Sequence, residues 1–311
     1  MSDFKIYGDE YSNLDITEDT FYGFPKESII RAEKKLFDEN EKSVAYFSME
    51  YGLATSIYNS FISSKELDEE NLRSDSEVFS NIRSMDYFHK IRSKDIVDMP
   101  IYSGGLGILA GDTLKAAADV GYSIVGVGIL WSKGYFLQNF CPIEGQNVIE
   151  FHWNPEDYPG LVQLDESVSV NIGKDTIKIN LWKYYVYSND KKHVIPLVLL
   201  DSNLPENPHW SRELTGQLYK SESAWWKIVQ RKILGVAGIR ALEKIGYSLD
   251  LYHLNEGHAA FAFLEKAMNI KPSEIDALKK RFAYTCHTPV EAGHDRLPLN
   301  ELENVFTADE I

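Results

Sequence analysis

Four short stretches of the chain carry residue types that could do chemistry, each beside a turn signal. The most crowded is Tyr102-Ser103-Gly104-Gly105-Leu106-Gly107-Ile108-Leu109-Ala110-Gly111-Asp112. Three glycines fall within four positions, and a helical pattern follows at once, with Leu106, Leu109, Ala110, Leu114 and Ala117 on one face. A turn that runs into a helix N-terminus leaves backbone N–H groups without intrahelical acceptors, and the helix dipole favours an anion beside them. Glycine adds close approach, because no Cβ stands in the way. The stretch therefore predicts a loop that holds a phosphate or a developing negative charge; a purely structural glycine turn is the competing reading. Gly105-x-Gly107-x-x-Ala110 also has the form of a dinucleotide fingerprint. Against that, Pro100 interrupts the strand that should precede it, and no acidic residue near Trp131 is placed to hold a ribose.

The other three stretches end apolar runs. Glu50 follows Val44-Ala45-Tyr46-Phe47-Ser48, where a carboxylate could position a neighbour or bind a hydroxyl, or serve only as an ion pair or cap. His253-Leu254-Asn255-Glu256-Gly257-His258 offers an amide, a carboxylate and an imidazole within four positions, a set suited to a polyhydroxylated ligand. Asn255 as a helix cap competes with that. Zinc is not expected, since His253 and His258 lack the helical His-x-x-x-His spacing and no cysteine pair joins them. Tyr284-Thr285-Cys286-His287-Thr288-Pro289 is the third strand end, and Pro289 stops the strand and holds His287 at its rim. Cys286 reads as a small buried hydrophobe rather than a nucleophile. Trp225 and Trp226 read as core, and nothing singles out His152-Trp153 as a sugar-stacking pair.

These strand ends need a parallel sheet to bring them to one edge. A helix is predicted over Lys26–Phe37, then a strand over 44–48, the glycine turn with its helix ending at Gly121, and a strand over 122–130. Residues 62–96 read as a charged helical excursion. Residues 131–190 carry alternating and β-branched segments, at 134–138, 167–172 and 176–187, and predict an antiparallel β insertion. A strand over 194–200, a long helix over 218–242, a strand over 251–254, helices over 258–268 and 272–280, and a strand over 282–285 complete the rhythm. The expectation is one α/β domain spanning 1–311, with a Rossmann-like parallel sheet and a β-rich insertion at about 131–190.

Composition narrows the function classes. The chain has 311 residues, 44% hydrophobic and 25% charged, which is ordinary for a globular protein with ample core. A formal net charge of -15 argues against nucleic acid or an anionic membrane as the main partner. It leaves room for a phosphate ligand, which a local nest of amides can bind. Two cysteines are too few for a disulfide framework. No secretory signal is visible in the acidic N-terminus, and the longest apolar run is too short to span a bilayer, so a cytoplasmic location is expected.

Taken as a set, five stretches resemble the α-glucan phosphorylase family (glycogen, starch and maltodextrin phosphorylases). They are residues 46–52, 103–112, 125–130 with Gly134-Tyr135-Phe136, 253–261, and His287-Thr288-Pro289-Val290-Glu291-Ala292-Gly293-His294-Asp295. The likeness is to the prokaryotic branch with Asn-Glu-Gly-His, and it runs from about residue 44 to the end. It implies the N-terminal half of a glycosyltransferase-B fold and reversible phosphorolysis of α-1,4-glucan or maltodextrin to glucose 1-phosphate. It also implies pyridoxal phosphate, acting through its own phosphate as a proton relay. By resemblance, Gly104 and Gly105 lie against the substrate and cofactor phosphates and Leu106 touches the glucosyl ring. Asn255, Glu256 and His258 surround the sugar as catalytic-site residues. His287 joins them through its backbone carbonyl, and Glu50 is a structural or gating carboxylate in the same cleft.

One departure qualifies the likeness. In the family, the lysine that carries pyridoxal phosphate and the Lys/Arg groups that clamp the substrate phosphate lie in a C-terminal domain, and no lysine here sits in such a motif. The sequence thus predicts an N-terminal part that is inactive alone and partnered by a C-terminal domain or separate subunit, its apolar face otherwise covered by dimerisation. Two other readings stand beside it. One is a nucleotide-sugar glycosyltransferase of glycogen-synthase type, although no lysine precedes the glycines here. The other is a non-catalytic glucan-binding or split-subunit fragment.

Overall fold

The computed structural model describes residues 20–53 and 99–310, except 22–23, 100, 135–136, 142–144, 150–152, 159, 191, 221–222, 269, 292–293, 295 and 308–309. The charged stretch 62–96, Pro100 and His152 lie outside the described residues. An antiparallel pair, β1 (Thr20–Phe21) and β2 (Phe24–Pro25), leads into α1 (Lys26–Phe37). The first parallel unit is β3 (Val44–Phe47), α2 (Gly105–Asp119) and β4 (Ile124–Ile129). β5 (Leu137–Cys141) and β6 (Gly145–Ile149) follow, then β7 (Val162–Ile172), β8 (Asp175–Tyr187) and β9 (Val194–Asp201). Next come α3 (His209–Arg212), α4 (Ala224–Lys232), a π-helical turn (Ile233–Ala237) and α5 (Gly238–Ile245). β10 (Leu251–Asn255), α6 (Phe261–Ala267), α7 (Ile275–Lys279), β11 (Phe282–Thr285) and α8 (Leu299–Val305) complete the order.

One seven-stranded sheet organises the molecule, in the order β11-β10-β3-β4-β9-β8-β7. The five strands from β11 to β9 run parallel, and β8 and β7 are added antiparallel. This is a mixed α/β architecture consistent with a Rossmann-like glycosyltransferase-B half. β3, β4 and β9 are buried at every position, as expected of strands covered on both faces. Successive residues of β4 report the two coverings. A Cβ at Gly126 would stand 2.8 Å from Leu114 of α2, whereas the next residue, Val127, is met by Gly238 of α5. Helices thus pack on both sides, and their apolar faces close the core.

The chain leaves β3 toward β4 and β9, then returns to place β10 on the opposite flank of β3. The strand order therefore reverses between β3 and β10. In an open parallel sheet, the crevice at such a reversal, outside the carboxyl ends of the strands, is where ligands bind. The residues just after β3, β10 and β11 open onto that edge.

Two predicted features take a different form. The antiparallel segment does not stand wholly apart. Among the described residues β5 and β6 pair only with each other, while β7 and β8 continue the main sheet, with Leu181 opposite Leu200 and Trp182 opposite Leu199. Alternation marks a strand but not the partner that receives it. The long helix predicted over 218–242 begins instead at Ala224, where the Ser223 hydroxyl accepts the Trp226 N–H at 3.2 Å. A π turn also interrupts it. There Gly235 lets α6 approach, since a Cβ would stand 2.6 Å from the Ala262 nitrogen. Among the described residues, no helix is long and apolar enough to cross a membrane.

Candidate functional site

The crevice holds a cavity of about 440 Å³. Glu50, Gly104, Gly105, Leu106, Glu256 and His258 all line it, so six of the eight site residues predicted from sequence converge on one space. Their convergence follows from topology, because the segments after β3 and β10 are neighbours only once β10 pairs with β3.

The glycine turn divides its work. Gly107 makes room inside the protein, since a Cβ there would lie 2.6 Å from the Tyr102 Cβ and 2.8 Å from Glu50 Oε2. Gly104 and Gly105 face the other way, with nothing within 4 Å of where a Cβ would sit. An anion already occupies part of the turn. The N–H groups of Ser103 and Gly104 donate to Glu50 Oε2 at 2.7 and 3.1 Å. The expected pairing of amides with negative charge is thus satisfied first by the protein's own carboxylate. The next two amides, of Gly105 and Leu106 in the first turn of α2, donate to no acceptor among the described residues.

Glu50 is only 3% exposed and is fixed at its other oxygen as well, where the Tyr219 hydroxyl donates to Oε1 at 2.7 Å. Tyr219 lies in the irregular segment ahead of α4, at φ 54, a left-handed conformation costly for a tyrosine. The residue is 38% exposed and lines the cavity, its ring 5.7 Å from the His258 ring. Burial of its hydroxyl and the adjacent Glu50 carboxylate push its pKa far above the usual value, so it remains a proton donor to Glu50.

Glu256 plays the matching part after β10. It adopts φ 62, and its Oε1 accepts the N–H groups of His287 and Thr288 at 2.7 and 3.0 Å. Its own N–H donates to the Thr285 carbonyl at 3.0 Å. One strained residue thereby clamps the segment after β11 to the end of β10, and Thr288 joins the cavity lining.

The two remaining predicted residues sit behind or beside the cavity. Asn255 is 2% exposed, and its Nδ2 donates to Ser48 Oγ at 3.1 Å, tying β10 to β3. Its Oδ1 is buried without a partner. His287 is exposed and contacts the site through its backbone N–H. Behind it, His253 bonds Thr285 Oγ1 at 2.7 Å, and burial, helped by the His287 charge, lowers its pKa. Cys286, expected to be buried, is exposed, since it follows β11, the edge strand of the sheet among the described residues. Trp225 and Trp226 pack half-buried against the core and each other at 5.8 Å.

Sequence reasoning missed one wall altogether. Lys220, Lys227 and Arg231 line the cavity together with Tyr219 and Gln230. Lys227 and Arg231 are four residues apart on α4 and so share a face, and the Arg231 guanidinium also donates to the Lys227 carbonyl at 3.2 Å. That spacing was the available signal, but the same residues on a surface helix read equally well as a solvated stripe. The cavity therefore presents backbone amides from one side and cations from another, around two carboxylates engaged by backbone N–H groups. Such a lining suits a ligand that is both hydroxylated and anionic. Among the described residues, no three His, Cys, Asp or Glu side chains gather as metal ligands.

No protein-family model matches the chain. Among curated proteins it is similar to the maltodextrin phosphorylase of Thermococcus litoralis, 35% identical over 217 residues, a match covering 66% of this chain and 25% of that protein. It is also similar to the glycogen phosphorylase of Mycobacterium tuberculosis, 33% identical over 224 residues, with 66% and 25% covered. The glycogen phosphorylase of Aquifex aeolicus is 30% identical over 223 residues, with 66% and 30% covered. The matched stretch thus spans about a quarter of the length of these relatives.

Proposed function

Because the chain is homologous to an N-terminal portion of the α-glucan phosphorylases, we propose that it forms the glucan-facing and phosphate-facing wall of a phosphorylase cleft. The observation that supports this reading is the gathering of Glu50, the Gly104-Gly105 turn, Glu256 and His258 around one cavity at the strand-order reversal. In this reading the Gly105 and Leu106 amides hold a phosphate. Leu106, His258 and the exposed Tyr219 ring face the terminal sugar. Glu50 keeps the turn in shape, and Glu256 holds the segment bearing His287, whose carbonyl is the proposed partner of a sugar hydroxyl. Asn255 acts from behind by fixing β10 against β3. The whole of residues 1–311 is proposed as one domain of the cytoplasmic enzyme, with the opposite wall supplied by a further domain or subunit.

Phosphorolysis places positive charge on the anomeric carbon and negative charge on the leaving oxygen, and fixed groups that hold the phosphate against that carbon lower the barrier. Pyridoxal phosphate is implied by the family. The residues present fit its phosphate, since the Gly104-Gly105 surface is open and two first-turn amides adjoin it. When bound, the cofactor supplies a phosphate that relays a proton to the substrate phosphate. This chain's part is to bind, orient and exclude water; none of its lysines is assigned as the attachment point.

Titration calorimetry with a maltodextrin and with UDP-glucose and ADP-glucose tests the reading. Saturable maltodextrin binding, weakened by Glu256→Ala, is expected. Uptake of a nucleotide sugar with no response to maltodextrin would overturn it in favour of a glycogen-synthase-like transferase.

A further inference from the structure

We infer that Gln230 reads a sugar hydroxyl: its Oε1 accepts a hydrogen bond from one O–H of the ligand and makes the cavity selective for that hydroxyl. The inference rests on the proposed reading for the ligand class, a hexose or the terminal unit of a glucan. It adds a residue that stands in none of the strand-end stretches.

Gln230 belongs to α4, is only 1% exposed and lines the cavity. Its Nε2 donates to the Leu214 carbonyl at 3.2 Å and to the Gln217 carbonyl at 3.0 Å. Carbonyls only accept, so the amide cannot be turned over: its NH2 end must face them and its oxygen must face away. Among the described residues no donor meets that oxygen. Nor is it sealed off, as the unpartnered Asn255 Oδ1 is. A deeply placed amide oxygen costs free energy unless a donor reaches it. With none from the protein, the donor comes from a ligand in the cavity.

The rest of the lining selects the kind of donor. Glu256 is 4% exposed and takes the His287 and Thr288 groups all at Oε1, which leaves its Oε2 without a donor among the described residues. Two deep acceptors thus share the space, and a phosphate oxygen satisfies neither. Lys220, Lys227 and Arg231 in the same lining disfavour an ammonium or a metal ion. A neutral polyol meets both acceptors with its O–H groups and is repelled by no charge. Gln230 also has a positioning part, since its two bonds hold the turn that leads to Tyr219. The test must separate the two roles.

Titration calorimetry with glucose and its 2-, 3-, 4- and 6-deoxy analogues, on wild type and Gln230→Met, does so. At one ring position the penalty for the missing hydroxyl is expected to fall from about tenfold in wild type to none in Gln230→Met, the scale of one hydrogen bond. The other analogues should keep their wild-type ratios to glucose. A purely structural role would weaken all five sugars alike and preserve every ratio, which would overturn the inference and leave the phosphorylase reading standing. Circular dichroism checks the fold of the variant. If it unfolds, carbon-13 NMR of the wild type decides: the Gln230 Cδ resonance should shift with glucose and fail to shift with one of the four analogues. A shift shared by all five sugars, or none, would overturn the inference. Uptake of maltodextrin but not of glucose overturns the inference alone; uptake of neither overturns it together with the phosphorylase reading.

Discussion

Two pairs of glutamates lie equally deep in the protein and are held in opposite ways. Glu50 and Glu256 are 3% and 4% exposed, and Glu33 and Glu310 are each 6% exposed. At the crevice, Glu50 and Glu256 accept backbone N–H groups from loops. In the interior, Glu33 accepts from Lys183 Nζ at 2.9 Å and from the Tyr185 and Tyr247 hydroxyls, and Glu310 accepts from Lys232 Nζ at 2.8 Å. Burial alone pushes the Glu310 carboxyl up, but hydrogen bonds from Lys232 and Thr307 outweigh it and hold the group below its usual value. Neutral amides set the shape of a loop without consuming a cation. An ammonium partner neutralises a charge but shapes no ligand surface. The first arrangement belongs beside a cavity and the second in a core.

The contrast is sharpest in what truncation should cost. Glu33→Ala removes the carboxylate that pairs with the Lys183 ammonium at 2% exposure and accepts two hydroxyls, so urea denaturation is expected to show a loss of about 3–5 kcal/mol. A loss under about 1 kcal/mol would erase the distinction, because that is the scale of a solvated pair. Glu50→Gln keeps the volume but cannot accept at both ends, and about 1–3 kcal/mol is expected. Its more telling effect is local: amide exchange at Ser103 and Gly104 should accelerate more than exchange in β4. If exchange rose uniformly, Glu50 would be a core residue like Glu33. Tyr219→Phe removes one donor from Glu50 and should cost about 1 kcal/mol or less. It should raise exchange at the same two amides by a smaller factor.

The smallest effect is in pH. The His253 pKa is lowered in the folded protein, so the folded state binds fewer protons than the unfolded chain. Stability is then intact above the unfolded histidine value of about 6.5 and falls as the pH drops below it. Calorimetric melting between about pH 7.5 and 5.5 should show a decline that is shallower in His253→Gln. Identical slopes would remove His253 from the account.

Much of the fold could be read locally. Lys26–Phe37 and Phe282–Thr285 form the helix and strand that their patterns predict, and Gly121 takes φ +64 just beyond α2, where a helix-ending glycine belongs. Glu50, Glu256 and His258 were legible because each is a polar group close behind an apolar run, and Gly104 and Gly105 because glycines crowd ahead of a helical pattern. Tyr219, Lys227 and Arg231 were not legible. They come from one segment in which nothing marks a turn, and their meaning depends on which face of α4 looks into the crevice.

The sequence by itself determined the strands, the turns and the polar residue that ends each strand, because apolar periodicity, glycine and proline act over a few residues. Only the tertiary structure decided which of these ends share a space. β10 pairs with β3, although Val44 and Leu251 are far apart in the chain, and that pairing brings Glu256 and Glu50 to one cavity. It also decided that the first amides of the glycine turn serve Glu50, that the next two open onto a cavity, and that cations from α4 form the facing wall. Long-range strand pairing is settled by the burial of whole faces, and no short stretch of residues encodes it.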